Sequence, residues 1–312
     1  MKNIFINPEI EYLRAGWRIA IFFLILTGCR FVVTGPGIYL LKIVPWLNSS
    51  GMQEFFVYVG ITVATWLMLR FVDKRPFVSI GLTLKKNSVK ELSQGLLLGS
   101  GMMTLIFVVE YSFGIVHIEF HDLVFQQQLL IFGNSIFLYI IVGYGEELLF
   151  RGYILQIFAE GSNRFIAALS ISALFAFAHA GNPNVSIFGL INICLAGIWL
   201  SLAYYKTNAL WVPIGMHISW NFFQGFVFGF NVSGTSSDKE QISKAIQSGA
   251  DWITGGTFGP EGGALATIII IAGSVFIWYS PWISSNAAAW TYASWREDRK
   301  QQLLHRQNQI QA

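Results

Sequence analysis

Long apolar runs recur along almost the entire chain, separated by short polar or basic connections. A helix needs about 20 apolar residues to cross the hydrocarbon core. That length predicts spans at approximately 17–34, 55–72, 95–113, 129–158, 165–180, 186–204, 209–229 and 264–282. The pattern is that of an all-α protein, a polytopic membrane helix bundle with about eight transmembrane helices. The fourth run is long enough to tilt across the bilayer or to extend beyond it. Since no stretch is left over for a soluble unit, residues 1–312 read as a single integral membrane domain ending in a tail from about residue 284. Leu26-Thr27-Gly28-Cys29 has the form of a lipobox, but the apolar run continues through Phe31, Val32 and Val33, so an uncleaved first span is expected.

Composition agrees with this pattern. The chain is 54% hydrophobic and 12% charged, with a mean hydropathy of +0.54, whereas a soluble domain carries roughly 25% charge. The net charge of +3 matters less than its placement. Lys2, Arg14 and Arg18 flank the start of the first span, and Lys74, Arg75, Lys85, Lys86 and Lys90 fill the second connection. Arg164, Lys206 and the tail residues Arg296, Arg299, Lys300 and Arg306 fall on the same side if all the spans cross. The positive-inside rule makes that side, and both termini, cytoplasmic. The tail, with Trp290 and Trp295, is expected to lie on the membrane surface. Glu119, Asp122, Asp238, Glu240, Asp251 and Glu261 belong to opposite, outward connections, and Ser237 to Gly249 is expected to form a short surface helix. The lipid bilayer is thus an implied partner and nucleic acid is not. Cys29 and Cys194 lie in apolar stretches and suggest neither a disulfide framework nor a Cys-rich metal site.

An ionisable group at the bilayer centre costs at least about 2.5 to 3.5 kcal/mol, so each one needs a partner or a role. Arg30, Arg70 and Glu110 lie near span ends and are expected to snorkel. Glu146, Glu147 and Arg151 remain on the fourth span, His179 on the fifth, and His217 with Asn221 on the seventh. Glu147 and Arg151 are one helical turn apart on one face, whereas Glu146 is rotated about 100° from Glu147. Arg151 can therefore pair Glu147 and leave Glu146 available. Phe175 and His179, and likewise His217 and Asn221, also share a face, so these groups can line one buried, water-containing cavity. Such a set supplies candidates for an activated water, for oxyanion donors and for proton transfer. A polar network that holds the bundle together and a zinc site built on Glu146, His179 and His217 are the competing readings. All five aspartates lie outside the spans and no H-E-x-x-H occurs. The glycines around Ser100 read as helix-packing positions rather than as the setting of a nucleophile.

E-E-L-L-F-R (Glu146 to Arg151), F-A-F-A-H (Phe175 to His179) and H-I-S-W-N (His217 to Asn221) resemble the EExxxR, FxxxH and HxxxN/D motifs of the CPBP family. That family includes type II CAAX prenyl endopeptidases and bacterial bacteriocin-processing, immunity and lysostaphin-resistance-like membrane proteins. The motif core spans about residues 130 to 226, and Lys74-Arg75-Pro76-Phe77 to Gly81-Leu82 resembles a connection found upstream in bacterial members. The resemblance implies an all-helical intramembrane endopeptidase acting on a membrane-associated peptide or protein. It implies that Glu146 is the general base, that His179 helps polarise the water, and that His217 and Asn221 serve the oxyanion. Glu147 and Arg151 would then form the supporting ion pair and Phe175 would pack behind His179. No cofactor is implied, and zinc stays open on sequence grounds. A non-proteolytic immunity or scaffold protein is the alternative of a different class.

Overall fold

The computed structural model describes residues 2–7, 11–84, 86–235 and 241–284, with further positions between 297 and 305. Lys85, Asp238, Glu240 and the tail residues Trp290, Trp295, Arg296, Arg299 and Arg306 lie outside the described residues. Helices dominate, and each of the eight expected spans coincides with a helical segment. These are α1 (Ala15–Ile43), α2 (Ser50–Val72), α3 (Ser88–Ser112), α4 (Phe125–Gly161), α5 (Arg164–Ala178), α6 (Ile187–Thr207), α7 (Trp211–Phe222) and α8 (Ala264–Tyr279). Five of them, α1 to α4 and α6, are long and apolar enough to cross a bilayer; α5 and α8 are apolar but shorter.

Local chemistry sets the helix ends. Ser49, Asn163 and Ser186 each accept a hydrogen bond from a first-turn amide of α2, α5 and α6, at 3.3, 2.9 and 2.9 Å respectively. Asn208 ends α6 in the left-handed region, with φ 52°. Inside α4 the backbone widens into a π turn at Leu148–Ile154, directly after the glutamate pair. A second π turn, Phe223–Val227, follows α7 just beyond Asn221.

Helices α3 and α7 pack backbone to backbone. A Cβ at Gly95 would lie 2.9 Å from the Met216 nitrogen and 3.0 Å from the Gly215 Cα, and one at Gly215 would lie 2.8 Å from the Leu96 nitrogen. Gly99, one turn on, faces Met216 and Ser219. The small-xxx-small pair Gly95 and Gly99 thus acts as a helix-packing seam, and Ser100 spends its hydroxyl on its own helix, donating to the Leu96 carbonyl at 2.7 Å. Gly95→Ala should overpack this seam and lower stability by about 1 to 3 kcal/mol, read as a fall in the thermal midpoint of the purified protein. An unchanged midpoint would mean that the seam yields.

One expectation about a charged residue is corrected. Glu110 does not snorkel: its side chain is fully buried and accepts a hydrogen bond from Gln247 Nε2 at 3.3 Å. The reason is a two-stranded antiparallel sheet that covers the end of α3, formed by β1 (Val116–Phe120) and β2 (Ser243–Gln247) with Val116 opposite Gln247. The described part of the expected 237–249 surface helix is therefore a strand, because the alternating Val-x-Ile-x-Phe of β1 offers it a partner. Arg18, the basic residue at the start of α1, is fully buried. Its Nε donates to Asp73 Oδ1 at 2.7 Å and its guanidinium also pairs with Glu160. Arg75 lies 3.5 Å from the other Asp73 oxygen and donates to Gln156 Oε1 at 3.0 Å. This network clasps α1, α2 and α4 at the end of the bundle that bears the basic connections.

Candidate active site

The three motif regions converge near the opposite end. Glu146 and Glu147 sit on α4 just before its π turn, His179 caps the C-terminal end of α5, and His217 and Asn221 occupy one face of α7. The neighbouring glutamates enter different environments. Glu147 is fully buried; its Oε1 accepts from Arg151 Nη1 at 2.7 Å and lies 3.0 Å from His217 Nδ1. Arg151 also donates to the Gly197 carbonyl of α6 at 3.1 Å and lies over the Phe175 ring, 4.6 Å from its centroid. Glu147 and Arg151 therefore tie α4, α5, α6 and α7 together from behind the site.

Glu146 faces a cavity of about 560 Å³ that His179, His217 and Asn221 also line. Its side chain is 16% exposed, and its Oε2 lies 3.7 Å from His217 Nε2. His217 thus lies between the pair, with Nδ1 at hydrogen-bond distance from Glu147 and Nε2 facing Glu146 beyond that distance. His179 Nδ1 is 2.8 Å from the Phe175 carbonyl, which can only accept, so Nδ1 carries a proton and, in the neutral ring, Nε2 is the lone-pair acceptor. Phe175 packs edge to face against His179, with ring centroids 4.7 Å apart. Asn221 is 6% exposed and lies one turn beyond His217. Among the described residues no group of three His, Cys, Asp or Glu side chains is arranged to hold a metal ion.

Three contributors escaped the sequence reading. Tyr58 on α2 donates to Glu146 Oε1 at 3.1 Å. Its ring lies against Gly145, where any Cβ would overlap it, so the glycine before Glu146 admits the tyrosine that holds the carboxylate. Gly143 does the same for Ile218 of α7. Glu54, one turn before Tyr58, lines the same cavity. Glu261, expected in an outward connection, is 7% exposed. It accepts from Trp220 Nε1 at 3.2 Å and from the Ser233 amide and hydroxyl at 2.6 and 2.9 Å. Asn192 of α6 donates to the Glu261 and Gly263 carbonyls at 2.8 and 2.9 Å, and Asn182 to the Ser233 carbonyl at 2.8 Å. The connection between α7 and α8 is thereby tied down over the cavity. The one signal for Glu261 was an acid set among glycines and a proline, in Gly-Pro-Glu-Gly-Gly; for Tyr58 it was only a phenol within an apolar span.

Comparison with known proteins bears on this arrangement. Residues 126–223, which run from α4 into α7 and contain all three motifs, match the family described as type II CAAX prenyl endopeptidase Rce1-like. Two Bacillus subtilis (strain 168) proteins are similar to the chain. "Uncharacterized protein YyaK" is 24% identical over 243 residues, covering 71% of this chain and 80% of that one. "Putative membrane peptidase YdiL" is 25% identical over 190 residues, covering 57% and 71% respectively. No solved structure matches at the same stringency. The family match agrees with the resemblance carried by the motifs, and the chain is a multi-pass integral membrane protein of all-α architecture.

Proposed function

We propose that the protein is an intramembrane endopeptidase that hydrolyses a peptide bond of a membrane-associated peptide or protein. The observation that carries this reading is the division of the adjacent glutamates. Glu147 is consumed by Arg151 and His217, while Glu146 presents a carboxylate to a cavity it shares with two imidazoles and an amide. A purely structural network has no need to leave one acid facing open space.

The chemistry follows from the donors and acceptors. Water held between Glu146 and the lone pair of His179 Nε2 loses a proton to the Glu146 carboxylate as its oxygen attacks the peptide carbonyl carbon. The carbonyl oxygen becomes an oxyanion, which accepts hydrogen bonds from Asn221 Nδ2 and from His217 Nε2 when that nitrogen is protonated. The C–N bond then breaks, and the leaving amine takes the proton back from Glu146. Tyr58 orients the base through the other carboxylate oxygen, and the Glu147–Arg151 pair orients His217. A CAAX-type or bacteriocin-type substrate is the expectation that accompanies the family match.

The direct test is comparative membrane peptidomics of cells carrying the wild-type protein or Glu146→Ala. Peptides that appear only with the wild type identify cleavage; identical peptide sets would remove the reading and favour an immunity or scaffold role. Asn221→Ala removes one oxyanion donor and should lower kcat by about 10²- to 10³-fold, with KM on an identified substrate nearly unchanged. An effect confined to KM would place Asn221 in binding instead.

A further inference from the structure

We infer that Glu54 is a specificity-determining subsite that selects substrates with a lysine or arginine close to the cleaved bond. This rests on the peptidase reading above. Glu54 lines the cavity and is half-buried, and it has no hydrogen bond or ion pair among the described residues. Helix capping does not account for it, because Ser49 already caps α2 and Glu54 lies beyond the first turn, where the helix dipole acts most strongly. It is close enough to Glu146 for the two charges to interact. No lysine or arginine is among the described residues that line the cavity, whereas three carboxylates, Glu54, Glu146 and Glu261, are. Glu261 is held by Trp220 and Ser233, and Glu146 by Tyr58. Glu54 is left as the acid with nothing to hold.

A half-buried, unpaired carboxylate is less fully solvated than one in open water, and a cation entering beside it offsets that loss. A free metal ion is a poor occupant, since among the described residues no three-ligand set converges there. An ammonium or guanidinium needs only the one carboxylate together with neutral acceptors, and Gln53 and Ser50 lie beside Glu54 on the same wall. Geometry also sets the distance. Glu54 is four residues from Tyr58, about 6 Å along the helix, and the Tyr58 hydroxyl touches Glu146. An extended peptide advances about 3.3 Å per residue, so the basic side chain falls within about two residues of the scissile bond. A neutral or acidic residue at that position would face an uncompensated negative wall, which makes the subsite exclude as well as attract.

The experiment is cleavage-site profiling by mass spectrometry. Wild type, Glu146→Gln, Glu54→Gln and Glu54→Lys proteins are reconstituted in proteoliposomes with a library of single-span peptides randomised beside the span. Wild-type sites are expected to be enriched about tenfold in Lys or Arg within about two residues of the cut. Glu54→Gln should lose that enrichment, and Glu54→Lys should shift it towards Asp and Glu. Glu146-dependent cleavage with the same residue preference in wild type and Glu54→Gln would overturn the subsite and leave the peptidase reading intact. Absence of any Glu146-dependent cut would overturn the peptidase reading and the subsite with it. Glu54→Gln is nearly isosteric at a half-exposed position, so its profile decides the matter even if Glu54→Lys does not fold.

Discussion

Glu146→Gln should abolish most of the cleavage while leaving the fold intact. Losing a positioned general base typically costs about 10² to 10⁴ in rate, and the amide cannot take the proton that the attacking water gives up. The Gln oxygen can still accept the Tyr58 hydroxyl that now bonds Glu146 at 3.1 Å. The variant therefore loses no buried hydrogen bond of consequence, and its stability should change by less than about 1 kcal/mol. Single-turnover cleavage and thermal unfolding, measured on one preparation, separate the two quantities. Retention of more than a tenth of the wild-type rate would assign the base to another group.

Its neighbour should fail in the opposite way. Glu147→Gln removes the one carboxylate that, among the described residues, pairs with the fully buried Arg151 guanidinium. Breaking a buried ion pair from one side costs roughly 3 to 5 kcal/mol, most of it the penalty of stranding the remaining charge. Arg151 Nε already lacks a hydrogen-bond partner among the described residues, so the guanidinium has little to fall back on. The expected result is a large fall in unfolding free energy and in yield, and activity falls with the amount of folded protein. Adding Arg151→Met to Glu147→Gln should recover part of the lost stability, because the stranded charge is then gone. A double variant no more stable than Glu147→Gln would show that the cost lies in packing rather than in charge. Two adjacent acids of one chemical type would thus separate into a kinetic and a structural phenotype.

Much of this was readable from the residues. Apolar run length placed eight helical segments, since the bilayer imposes one ruler on all of them. Helical phase separated Glu146 from Glu147 and put Arg151 on the side of the latter, because partners four residues apart depend on local geometry alone. Contacts that join distant segments were not readable. Tyr58 meets Glu146 across 88 residues of sequence, and Arg18 meets Glu160 across 142. Neither pair leaves a periodic trace. The strand at Ser243–Gln247 was missed for the same reason, since its polar, weakly patterned sequence becomes a strand only against Val116–Phe120. Glu110 and Glu261 were read as surface charges because they adjoin loops, and only the folding of those loops back over the helix ends buries them.

The π turn at Leu148–Ile154 lies between the cavity and the buried ion cluster on the same helix. Upstream of it Glu146 meets α2 and the cavity; downstream Gln156 and Glu160 meet Arg75 and Arg18. Because an α-helix turns about 100° per residue, the turn acts as a phase shifter that lets two distant polar appointments be kept by one rod. Losing a single residue there would swing one half of α4 relative to the other. Indels in this stretch should therefore be far less tolerable than substitutions, even at positions whose side chains touch neither centre.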